Sequence, residues 1–64
     1  MKEAVQRSKV ATWMLTLVKI ENDLGMAHHE LNDEKFQEAV RKLREASALI
    51  DELIIWIRRA VRIA

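Results

Sequence analysis

Apolar residues recur at steps of three and four along nearly the whole chain, the spacing of one face of an α-helix. In the first half Val10, Trp13, Leu17, Ile20, Leu24, Ala27 and Leu31 follow it. In the second half Phe36, Val40, Leu43, Ser47, Ile50, Ile54, Ile57 and Val61 repeat it. Between the two stripes lies Asn32-Asp33. Asparagine tolerates the left-handed backbone that ends a helix, and Asp33 can cap the next one. The expected fold is all-α: an antiparallel two-helix hairpin with helices over about 2–31 and 33–63, forming a single domain over 1–64. In such a hairpin facing residues have position numbers of constant sum. Leu31 with Phe36, Ala27 with Val40, Leu24 with Leu43, Ile20 with Ser47, Leu17 with Ile50 and Trp13 with Ile54 satisfy that condition together. Gly25, preceded by the weak helix formers Asn22 and Asp23, is where helix 1 could kink or break, but the stripe keeps its phase from Ile20 through Leu31, so a continuous or slightly bent helix is expected.

One seam does not use all the apolar surface. On helix 2, Ala39, Ala46, Leu53 and Ala60 form a second row at seven-residue spacing, and Leu49, Trp56 and Ile63 a third. Helix 1 adds Met14 and Val18 on its flank. A helix that is apolar over more than half its circumference is buried by more than one neighbour. Two hairpins packing as a twofold four-helix bundle would satisfy both helices. The expected oligomer interface is Met14, Val18, Ala39, Ala46, Leu53 and Ala60. Leu49, Trp56 and Ile63, with Arg58, Arg59 and Arg62, form the expected surface for a further partner.

Composition points the same way. A chain of 64 residues sits near the lower size limit for independent folding. Chains this short usually add disulfides, a metal or self-association. Without cysteine the first is excluded, along with thiolate metal sites. No proline, one glycine and 50% hydrophobic residues argue against disorder. A net charge of +1 gives no global attraction to nucleic acid. The longest apolar run, Leu53 to Ile57, falls far short of a membrane span, and no signal-peptide core is present, so a cytoplasmic location is expected.

Candidate chemistry is sparse. His28 and His29 are adjacent and point about 100° apart on a helix, so they cannot chelate one ion together. Glu21 and His28 share a face at seven-residue spacing, but the Glu-x-x-His spacing of di-iron bundles is absent. Arg41, Lys42 and Arg44 interleave with Glu38 and Glu45 as a solvated face would. Arg58, Arg59 and Arg62 have no acidic neighbour after Glu52 and could meet nucleic-acid phosphates or suit the helix dipole. No cofactor is expected.

The overall plan, a cysteine-free hairpin of this length expected to dimerise, resembles the Rop-type RNA-binding regulators of plasmids, in architecture and without a shared motif. Leu24-Gly25-x-Ala27 followed by Phe36-x-x-Ala39 and Ala46 is similar to a tetratricopeptide repeat. Here the gap is about two residues longer, and a solitary repeat is not a stable unit. The expected function is that of a non-enzymatic helical adaptor or regulator acting as a homodimer on another macromolecule. RNA or DNA binding through the terminal arginines is the second expectation, and a metal or catalytic bundle using His28 and Glu21 the third.

Overall fold

The computed structural model describes residues 5–61. They form two helices, α1 (Arg7–Asn32) and α2 (Phe36–Ala60), packed antiparallel as a hairpin about 50 Å long. Helix α1 runs unbroken through Gly25. It starts later than the periodicity suggests: Gln6 is extended, with φ −63° and ψ 137°, and its carbonyl accepts the first bonds, from the Lys9 and Val10 amides. The expected helical ends at residues 2 and 63 lie outside the described residues.

The turn sits two residues beyond the expected tip. Asn32 is still helical, Asp33 follows the helix as a turn residue, and neither caps α2 with its side chain. The left-handed residue is Glu34, at φ 59°. Its amide donates to the Leu31 carbonyl at 3.0 Å and the Lys35 amide to the Glu30 carbonyl at 2.7 Å. This bond pair is the Schellman arrangement that satisfies the last carbonyls of a helix. It most often uses glycine, because a side chain is disfavoured at positive φ. The main-chain bonds set the stop here, against the side-chain preference of Asn32.

The seam is also turned from the expected register. Ile20, Ala46 and Leu53 form its buried centre, with Trp13, Leu49 and Ile57 packed against them. Ala27 and Ala39 are fully covered towards the tip. Ile20 therefore meets the alanine row and not Ser47, which is exposed. Each helix is rotated by less than the roughly 100° between successive residues. The physical reason is size. Ala39 and Ala46, one heptad apart, give α2 a flat strip on which α1 can lie closely, and the larger side chains stay to one side. The polar residues Asp23, Glu30 and Lys42 are drawn towards the other margin.

Candidate interaction surface

The rotation leaves a broad apolar face open. Taking each helix at about 100° per residue, Leu17, Leu24 and Leu31 share one flank of α1. Phe36, Leu43, Ile50 and Ile54 share one flank of α2. In an antiparallel pair these flanks lie on the same side of the hairpin. Leu17, Leu24, Leu31, Phe36, Leu43 and Ile54 are each between 42% and 59% exposed. Three leucines at seven-residue spacing run beside Phe36, Leu43 and Ile50 at the same spacing, so the face is layered along its length. Glu21 and His28 stand on its α1 edge, both exposed.

The residues expected to mediate assembly divide between the two sides of this arrangement. Met14 and Val18 are exposed on the outer flank of α1, beyond the leucines. Ala39, Ala46 and Leu53 are buried in the hairpin's own seam, and Ala60 is half-buried at its open end. This is a correction: the row read as the contact with a second copy serves the contact between α1 and α2. Of the row read as the seam, Trp13, Ile20, Ala27 and Ile57 do lie in it, whereas Leu17, Leu24, Leu31, Phe36, Leu43 and Ile54 are exposed. Leu49 is half-buried and Trp56 exposed, both on the flank opposite the leucine face. Arg58 and Arg59 are exposed on different sides of α2, and only Arg59 lies over Trp56, 5.9 Å from the ring centroid. Arg62 and Ile63 lie outside the described residues.

The opposite flank is polar towards the tip and grooved towards the open end. Asp23 is 3% exposed, and its Oδ2 has no hydrogen-bond partner; neither has the buried Oε1 of Glu30. Lys42 reaches Glu45 at 3.6 Å, and the exposed Arg41 donates to Glu38 at 2.6 Å, which raises the guanidinium pKa through that bond and the carboxylate's charge. Reading the apolar pattern alone misses this polar margin, although Thr16, Asp23 and Glu30 recur every seven residues along α1. Near the open end, residues around Trp13, Leu49, Leu53 and Trp56 line a groove of about 520 Å³.

His28 and His29 stand edge to face with ring centroids 6.3 Å apart, both exposed. Among the described residues no group of three histidine or carboxylate side chains converges on one point, and no helix is long and apolar enough to cross a membrane. Comparison with protein-family models, curated proteins and solved structures finds no match for this chain.

Proposed function

We propose that the chain is a self-associating helical module, in which two copies pair through the leucine face into a four-helix bundle. It acts by assembly and by presenting its outer faces to another macromolecule. The observation that supports this reading is the layered apolar face itself, open from the turn as far as Leu17 and Ile54. Each helix of a four-helix bundle has two neighbours and therefore needs two apolar rows. On α2 the alanine row meets α1, and the Phe36–Leu43–Ile50 row is free for a second copy. Small residues in one row and large ones in the other let the hairpin close tightly while bulky side chains fill the space between hairpins. A twofold, isologous contact presents the same face from both sides, so one surface serves both copies.

A second copy is a better occupant than a different protein because the face complements itself. Its central rows carry no charge, so face-to-face pairing buries no ion. The cost of folding so short a chain also favours an interface formed in every molecule. Sedimentation equilibrium at micromolar to tens of micromolar concentration tests the reading. The expected mass is about 15 kDa, twice that of the 7.5 kDa chain. A cooperatively folded species of single-chain mass across that range would overturn it.

A further inference from the structure

The groove at the open end lies on the flank away from the leucine face, so it stays accessible whether or not two copies pair. We propose that it binds a small amphiphile with an apolar tail and an anionic head, of the fatty-carboxylate class. Its volume of about 520 Å³ is that of a small-molecule site. Its floor is apolar: Leu53 is buried, and Trp13 and Leu49 are half-buried. Trp56 forms the exposed wall, with its indole available to a second apolar surface.

The polar groups are placed unequally along the groove. Lys9 on α1 and Arg59 on α2 both line its outer end. The guanidinium of Arg59 lies over the Trp56 ring, a cation–π contact that holds the charge at the rim. Glu52 also lines the groove, seven residues closer to the turn than Arg59, or about 10 Å along α2 at 1.5 Å per residue. An anion is therefore attracted at the open end and repelled further in. The threonines cannot substitute for the cations. The Thr12 hydroxyl donates to the Ser8 carbonyl at 3.0 Å and that of Thr16 to the Thr12 carbonyl at 3.2 Å. Both protons are committed, so this wall offers methyl groups and lone pairs, which suit a tail and not a carboxylate. The head belongs between Lys9 and Arg59, with the tail running inward over Trp13, Leu49 and Leu53.

Sodium decanoate, kept below its micelle concentration, is a direct probe, because both tryptophans of the chain border the groove. Titration should give a saturable change in tryptophan fluorescence and a matching heat in calorimetry, with decyltrimethylammonium bound at least tenfold more weakly. Arg59→Gln should weaken decanoate about tenfold, the loss of one charge-assisted contact, while circular dichroism stays unchanged. Absence of saturable decanoate binding would overturn the proposal. So would equal affinity for the cationic analogue, or an Arg59→Gln variant that binds as tightly as the parent. Leu43→Glu alters the opposite face and should leave decanoate affinity intact; its loss there would move the binding to the leucine face and overturn the site. Because decanoate affinity and mass are read separately, failure of either proposal leaves the other standing.

Discussion

Leu43→Glu separates the two faces of the hairpin most sharply. Leu43 is 42% exposed when the hairpin stands alone, and glutamate matches leucine closely in helix propensity. The isolated hairpin should therefore keep its helices. In the proposed pair the same position lies in the middle layer of the leucine face. Complete burial of a leucine side chain is worth about 1.5–3 kcal/mol, so covering its exposed two-fifths contributes roughly 0.6–1.2 kcal/mol per copy. The introduced carboxylate costs more. If it cannot reach water it protonates, and at pH 7 that costs about 3.7 kcal/mol, from a reference pKa of about 4.3 at 1.36 kcal/mol per unit. With both losses counted in both copies, pairing should weaken by up to about 10 kcal/mol, and by about 1–2 kcal/mol if the carboxylate escapes to the rim. Either value is readable by sedimentation as a dissociation constant raised at least about fivefold.

The pH dependence follows in sign. A carboxyl buried in the paired state has a raised pKa there, so pairing takes up protons and association strengthens as pH falls towards about 4. Leu15→Glu is the control, since Leu15 is 70% exposed and lies away from both the seam and the leucine face. A Leu43→Glu variant of unchanged mass beside a dissociated Leu15→Glu variant would refute the assignment of the faces.

Three further substitutions probe the hairpin itself. Glu34→Gly should stabilise by about 0.5–1 kcal/mol, read as a shifted urea midpoint, because Glu34 holds φ 59° at the Schellman position; a loss of stability would mean that its side chain anchors the turn. Gly25→Ala should add about 1 kcal/mol, since an added Cβ meets nothing within 4 Å; a gain in helix content with weaker association would place a partner helix against Gly25. Asp23→Ala should stabilise by about 1–2 kcal/mol by removing a buried carboxylate oxygen without a partner; destabilisation would show that the carboxylate has a stabilising contact in solution.

The hairpin was legible because the signals for it are redundant. Two long helical stripes and one cluster of turn formers leave few other topologies, and Gly25, with open space around it, interrupts nothing. The tip was legible to within two residues, but the choice of Glu34 for the left-handed position was not. Side-chain preference favours Asn32, whereas the main-chain bonds from Glu34 and Lys35 to the carbonyls of Leu31 and Glu30 decide the matter.

The register was harder to read, for a reason specific to helices that carry two apolar rows. The test of constant sums is passed by the row of Phe36, Leu43 and Ile50 against Leu31, Leu24 and Leu17. Those residues do run side by side at matching heights, but on one open face and not between the helices. A sum condition fixes axial register and says nothing about rotation about the helix axis. Rotation depends on which row lets the backbones approach most closely, and the alanines at 39 and 46 win although they bury less apolar area per residue. The large residues then lie where a lone hairpin gains least from them and a pair of hairpins gains most. The side chains of the two outer stripes therefore stay half-exposed in the single hairpin, and the groove between Trp13 and Trp56 lies on the other flank.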